Sequence, residues 1–106
     1  MNSLKIGISM RIVKDNDYHE ERDALSHDWS TFSELTDITL IHISNSKNVI
    51  SFLKQMDLDG VILSGGDNFG DTPKRDKTEL EIINYCINKK LPIFGVCRGM
   101  QILNSF

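Results

Sequence analysis

The sequence predicts an α/β fold in which a parallel sheet carries helices on both faces. Three observations predict it. Apolar, β-branched stretches alternate with amphipathic ones along the 106 residues. The connections between them are short, which favours neighbouring βα units in one sheet. One stretch, Asp59-Gly60-Val61-Ile62-Leu63, is almost wholly apolar, as suits a strand buried on both faces of a parallel sheet.

Residues 4–10 alternate apolar with polar or small side chains and read as the first strand. Residues 11–17 are polar and read as a loop. Residues 18–25 are expected to lead into a helix running to about Glu34, with Ala24, Leu25, Trp29 and Phe32 on one apolar face. Residues 36–43 (TDITLIHI) form the second strand. Residues 45–56 place Val49, Ile50, Leu53 and Met56 at helical spacing, with Asn45 or Ser46 as the N-cap. Residues 59–63 form the third strand, and residues 64–73 a glycine-rich loop. Asp76 and Glu79 have the spacing of a capping box, heading a helix to about Lys89 with Leu80, Ile83 and Ile87 inward. Residues 92–96 form the fourth strand. Met100, Ile102, Leu103 and Phe106 mark a last helix. No repeat, linker or low-complexity tract interrupts this order.

The length suits one small domain. The net charge of −3 comes from acidic and basic residues mixed along the chain. No basic stripe suggests nucleic acid, and neither an amphipathic basic helix nor a long apolar run suggests a membrane. Two cysteines, Cys86 and Cys97, are too few for a disulfide framework. Without a signal-peptide pattern, a reduced, cytoplasmic setting is expected.

The strongest chemical signal lies in residues 91–106. The apolar run Leu91-Pro92-Ile93-Phe94 leads into Gly95-Val96-Cys97-Arg98-Gly99 and then into the last helix. A strand, a tight turn flanked by glycines and a helix, with a nucleophilic side chain at the apex, is the layout of a nucleophile elbow. Cys97 takes the apex, where the positive end of the helix favours an anionic sulfur. The second signal is Leu63-Ser64-Gly65-Gly66-Asp67-Asn68-Phe69-Gly70-Asp71. Adjacent glycines after a buried strand let the backbone approach a ligand. Ligands of such sheets lie beyond the carboxyl ends of the strands. This loop, the Cys97 turn and residues 11–22 are therefore expected at one edge. Free N–H groups of the loop, with the N–H of Arg98, would then hold an oxyanion, as acyl chemistry at a thiolate requires.

Ile62-Leu63-Ser64-Gly65-Gly66, then a helix, then Pro92-Ile93-Phe94-Gly95-Val96-Cys97-Arg98-Gly99-Met100-Gln101 resembles the class I glutamine amidotransferase superfamily. Cys97-Arg98-Gly99-Met100-Gln101 is most similar to its γ-glutamyl hydrolase branch, peptidase family C26. Tyr18-His19-Glu20-Glu21-Arg22-Asp23-Ala24-Leu25, followed by Asp28-Trp29, resembles the γ-glutamyl-CDP-amidate hydrolases within that branch.

The resemblance implies a flavodoxin-like sheet and a small-molecule γ-glutamyl substrate, with no cofactor and no metal. Cys97 would attack the γ-glutamyl carbonyl, the N–H groups of Gly66 and Arg98 would hold the oxyanion, and water would release glutamate from the thioester. Gln101 would help bind the glutamyl group, with Gly65 in the binding loop. Arg11, His19, Glu20 and Arg22 would recognise the glutamyl end or the leaving group. The resemblance also implies a histidine base and its orienting glutamate downstream of the cysteine. His19, His27 and His42 all precede Cys97, and nine residues follow it. The chain is thus expected to be the N-terminal part, residues 1–106, of a single longer domain. By itself it is expected to lack normal turnover, and either to be poorly soluble or to associate with the missing C-terminal half or a synthetase subunit.

Structural readings stand beside these. Cys97 could be a buried thiol, Gly65 and Gly66 could serve only a turn, and Gln101 could be polar surface. The side chain of Arg98 could be idle, only its backbone acting. Cys86 reads as packing, His27 as solvated, His42 as a core or edge residue. Lys74, Arg75 and Lys77 read as a solvated basic cluster, and Trp29 and Phe32 as core. Three functions remain open: a γ-glutamyl amide hydrolase, the glutaminase part of an amidotransferase feeding ammonia to a synthetase, and a non-catalytic module of the same fold.

Overall fold

The computed structural model describes residues 3–46, 48–68 and 70–105. Phe69 of the glycine-rich loop and Phe106 of the last helix lie outside the described residues. Four strands, β1 (Leu4–Ser9), β4 (Ile38–Ile43), β5 (Gly60–Leu63) and β6 (Ile93–Gly95), form an all-parallel sheet in the order β4-β1-β5-β6. The helices are α1 (Asp28–Thr36), α2 (Val49–Met56), α3 (Pro73–Lys89) and α4 (Arg98–Ser105). The connection from β1 steps one way along the sheet to β4, and the connection from β4 returns past β1 to β5. Right-handed crossovers therefore put α1 on one face and α2 and α3 on the other.

The alternation of each strand decides which side chains meet which face. Val61 and Leu63 point to the face of α2 and α3, as do Ile41 and Ile43 in the same register. Val61, Leu63 and Ile43 form the buried core with Val49, Leu53, Leu58, Ile82, Ile83, Cys86 and Ile102, and the half-buried Ile41 packs against it. Gly7 of β1 shares this face. A Cβ there would meet Leu58 Cδ1 at 2.7 Å and Ile43 Cδ1 at 2.8 Å, so only glycine lets the core close on β1. The opposite face carries Leu4, Ile6, Ile62 and Phe94, and they border an open apolar cleft of about 450 Å³.

Several sequence expectations need correction. Residues 11–25 form neither a loop nor a helix. β2 (Arg11–Asp15) and β3 (Glu20–Ala24) pair as an antiparallel hairpin, with Arg11 opposite Ala24. Asp15 Oδ1 accepts the N–H groups of Asp17 (2.9 Å) and Tyr18 (3.2 Å), an Asx-type turn that reverses the chain. Asp23 then ties the hairpin to the end of β4, accepting from Ser44 Oγ, Asn45 N and Asn45 Nδ2. Asn45 is therefore buried and is not a cap; the N-cap of α2 is Asn48.

Helix α1 has no buried residue, so Trp29 and Phe32 are not core. Their rings meet edge to face, with centroids 5.7 Å apart, on the helix surface. α3 begins at Pro73 after Thr72, so Asp76 and Glu79 lie inside the helix and do not cap it. Ile87 is exposed on its outer side.

Candidate active site

The chain leaves β6, turns at Cys97 and enters α4 at once. Cys97 has φ 52°, a left-handed conformation unusual for a residue with a Cβ. It is held there by its carbonyl, which accepts from Met100 N (3.0 Å) and Gln101 N (3.3 Å), and by Gly99 N donating to Val96 O (2.9 Å). Two glycines make the turn possible by removing bulk where backbones cross. A Cβ on Gly95 would lie 2.5 Å from the carbonyl carbon of Gly99. A Cβ on Gly99 would run into the carbonyl oxygen of Leu63 and lie 2.9 Å from Leu63 Cβ. α4 thus sits directly on the end of β5, and Val96 N donates to Leu63 O at 3.0 Å. Cys97 is exposed at the amino end of α4, whereas Cys86 is buried in the core.

The loop after β5 lies against this turn. A Cβ on Gly65 would be in ordinary contact with Cys97 Cβ at 3.7 Å. Gly66 has φ 139° and packs on a guanidinium, where a Cβ would meet Arg75 Nη1 at 2.6 Å. The N–H of Arg98 is at the first position of α4, where a helix offers no acceptor of its own. A cavity of about 350 Å³ opens beside these residues, its lining including Arg11, Ser26, Asp28, Trp29, Gly65, Gly66 and Val96.

Beneath the loop and the turn lies a buried charge network. Glu79, fully buried, accepts from Arg98 Nε (3.0 Å) and Ser9 Oγ (2.6 Å) and pairs with Arg75 Nη2 at 3.3 Å. Arg98 Nη2 also pairs with Asp76 Oδ1. Arg75 Nη2 reaches the carbonyls of Ser64 (2.9 Å) and Gly65 (3.1 Å), and its Nη1 pairs with Asp67 Oδ1 at 3.1 Å. Ser64 returns to β1 through Ser64 N to Ser9 Oγ (3.0 Å) and Ser64 Oγ to Ser9 O (2.7 Å).

Burial alone would lower the Arg98 pKa, but the hydrogen bond it donates to Asp76 and the charges of Glu79, Asp76 and Asp67 hold it above its ordinary value. Burial pushes the Asp67 carboxyl up. Hydrogen bonds from Thr72 and its own backbone, with the charges of Arg98 and Arg75, outweigh this and hold it below the usual carboxylate value.

Of the sequence candidates, the structure brings together Cys97, Gly65, Gly66, Arg98 and Arg11. Gln101 stands one turn into α4, its Nε2 3.4 Å from Asn68 Oδ1 of the glycine-rich loop. His19 and Glu20 border a separate depression with Lys14 and Asp15. Arg22 pairs with Asp15 (2.9 Å) and Glu20 (2.6 Å) under the Tyr18 ring. None of His19, His27 and His42 lines the cavity beside Gly66. The side chain of Arg98 is buried and paired with Glu79 and Asp76. Arg75 is fully buried and does not belong to a solvated cluster with Lys74 and Lys77.

The residues that sequence reasoning missed are Asp67, Arg75, Asp76 and Glu79. The missed signal was periodic: Arg75, Glu79, Ile82 and Cys86 recur at three- and four-residue spacing and share the inward face of α3. Among the described residues, no group of His, Cys, Asp and Glu is placed to hold a metal ion, and no helix is long and apolar enough to cross a membrane.

A parallel sheet with a cysteine turn and a glycine loop at its carboxyl edge has the form of a glutamine amidotransferase-like domain. The family model for peptidase C26 matches residues 6–106, and the chain belongs to that family of enzymes. It is 32% identical over 113 aligned residues to the gamma-glutamyl-CDP-amidate hydrolase of Campylobacter jejuni, covering 95% of this chain and 54% of that protein. It is 31% identical over 102 residues to the CTP synthase of Methanosphaera stadtmanae, covering 95% of this chain and 18% of the synthase. Against the GMP synthase [glutamine-hydrolyzing] of Plasmodium falciparum it is 43% identical over 49 residues, 46% of this chain and 9% of that protein. The chain thus spans about half the length of the Campylobacter hydrolase.

Proposed function

We propose that this chain carries the nucleophile and oxyanion-binding part of a cysteine-dependent hydrolase acting on a γ-glutamyl amide. The observation that carries the reading is the left-handed Cys97, exposed at the head of α4 and facing Gly65, where an added Cβ would touch its own at 3.7 Å. Cys97 Sγ attacks the γ-carbonyl carbon, and the N–H groups of Gly66 and Arg98 stabilise the oxygen that becomes negative. The C–N bond breaks, the amine leaves with a proton, and water cleaves the thioester to give glutamate. The base is a histidine in a C-terminal half of the same domain, outside the 106 residues, and residues 1–106 are the N-terminal part of that domain. Arg11, beside Gly66 in the cavity, and Gln101 contact the substrate. Likeness to the Campylobacter protein over most of the chain favours a cytidine diphosphate amidate as the leaving group.

A second reading, the glutaminase part of an amidotransferase with a synthetase partner, is favoured by the likeness to CTP synthase over an equal share of the chain. Labelling with a γ-glutamyl chloromethyl ketone and peptide mass spectrometry tests the common step. Cys97 is expected to be modified and Cys86 spared, because Cys86 is buried and its thiol is pushed up to about 11. Equal modification of both cysteines would sink the reading. Glutamate release that rises only when a synthetase is added would favour the second one.

A further inference from the structure

Two consecutive glycines make the loosest peptide a chain can have, because each residue tolerates either sign of φ. An oxyanion donor in such a peptide needs something to stop it rotating. A trans peptide points its N–H opposite to the carbonyl of the preceding residue, and the structure has no cis peptide among its described residues. Whatever holds the Gly65 carbonyl therefore aims the Gly66 N–H.

Arg75 holds it. Its Nη2 donates to Gly65 O at 3.1 Å and to Ser64 O at 2.9 Å, so two successive peptide planes are pinned by one planar group. The same guanidinium forms the surface on which Gly66 packs. Arg75 is itself fixed by Asp67 and by Glu79, one turn further along α3. Glu79 also grips Arg98, whose N–H is the other donor of the proposed site. One carboxylate thus bridges the anchors of both donors.

Building on the acyl-transfer reading above, we propose that Arg75, Glu79 and the Arg98 side chain form a clamp that sets the direction of the Gly66 and Arg98 N–H groups. These are positioning residues and do not touch substrate. A lysine at position 75 keeps the charge but, as a point donor, cannot span the two carbonyls, Asp67 and Glu79 at once.

The test compares two reactions of Cys97, only one of which develops an oxyanion. With γ-glutamyl p-nitrophenyl ester, Sγ bonds to the γ-carbonyl carbon and the carbonyl electron pair moves onto oxygen. Collapse returns that pair to the carbonyl and breaks the ester C–O bond, and p-nitrophenolate leaves with the electron pair of the broken bond. With iodoacetamide, Sγ displaces iodide at a saturated carbon and no oxyanion forms. Both rates are measured on the unsubstituted chain and on Arg75→Lys and Glu79→Gln, each checked for folding by circular dichroism. The ratio of acylation to alkylation is expected to fall at least about tenfold in each variant, as it does when an oxyanion donor is lost. An unchanged ratio in either folded variant would overturn the clamp, and if one variant fails to fold the other decides. Absence of a p-nitrophenolate burst from the unsubstituted chain would instead overturn the acyl-transfer reading itself, and the clamp with it.

Discussion

At Cys97 a side chain with a Cβ is held at φ 52°, at a local cost of about 1–2 kcal/mol. The glycines on either side make this affordable by letting α4 settle on the end of β5. Helix propensity and packing make opposite predictions for Gly99→Ala. Alanine in a helix gains about 1 kcal/mol over glycine. Here the new Cβ would strike the backbone of Leu63, which is hydrogen-bonded to Val96 and has no room to retreat. Packing is expected to win, with a net loss of about 1–3 kcal/mol in urea denaturation. Iodoacetamide labelling of Cys97 should change as the turn distorts. A Gly99→Ala chain as stable as the unsubstituted one would mean that α4 sits further from β5.

At the scale of elements, α3 joins two kinds of interior on one face. Its first turns bury Arg75, Asp76, Thr78 and Glu79, and its later turns bury Ile82, Ile83 and Cys86. The charged half supports the loop and the Cys97 turn, while the apolar half closes the core. Breaking one partner of such a buried pair leaves an uncompensated charge, typically worth about 3–5 kcal/mol. The apolar half has its own signature in pH. Burial raises the Cys86 thiol from 9.0 to about 11. A raised folded value means that the native state keeps a proton the unfolded chain has lost, so stability is full below pH 9 and falls as pH rises towards 11. The loss attributable to Cys86 is about 2–3 kcal/mol across that interval. It is read as the difference in denaturation free energy between the unsubstituted chain and Cys86→Ala, whose alkaline slope should be shallower. Identical slopes would show that Cys86 stays protonated in both states or in neither.

The two faces of the whole sheet are unequal. α2, α3 and α4 cover one face, and Ile8 and Ile62 are the best buried residues of the other. That other face lies open elsewhere, with Leu4 of β1 55% and Phe94 of β6 65% exposed. An apolar surface of this kind binds hydrophobic dyes or other proteins. Anilinonaphthalene sulfonate fluorescence is expected to rise with the unsubstituted chain and to fall back with Phe94→Lys, while Cys97 labelling stays unchanged. Phe94 points away from the core, so the substitution should leave the melting temperature almost unmoved. Equal dye binding by both chains would place the apolar surface elsewhere.

The parallel order was legible because β-branched runs alternate with amphipathic ones, and periodicity is a local property that survives without coordinates. Cys97, Gly95 and Gly99 were legible too, since a tight strand-to-helix turn restricts its residues by sterics alone. The hairpin of residues 11–24 was not. Its strands are mostly exposed, so no apolar period marks them. A sequence rich in Glu, Arg and Ala reads as helix until Asp23 is seen bonded to Ser44 and Asn45, across some 20 residues of chain. Arg75 and Glu79 also read as surface, because charge normally prefers water. Only the tertiary structure brings Arg98, Asp67 and Ser9 around them, and only those partners make their burial possible. The sequence by itself thus determined the strand order's local ingredients and the Cys97 turn. The fold decided which charges are interior, because their partners lie on elements far apart along the chain.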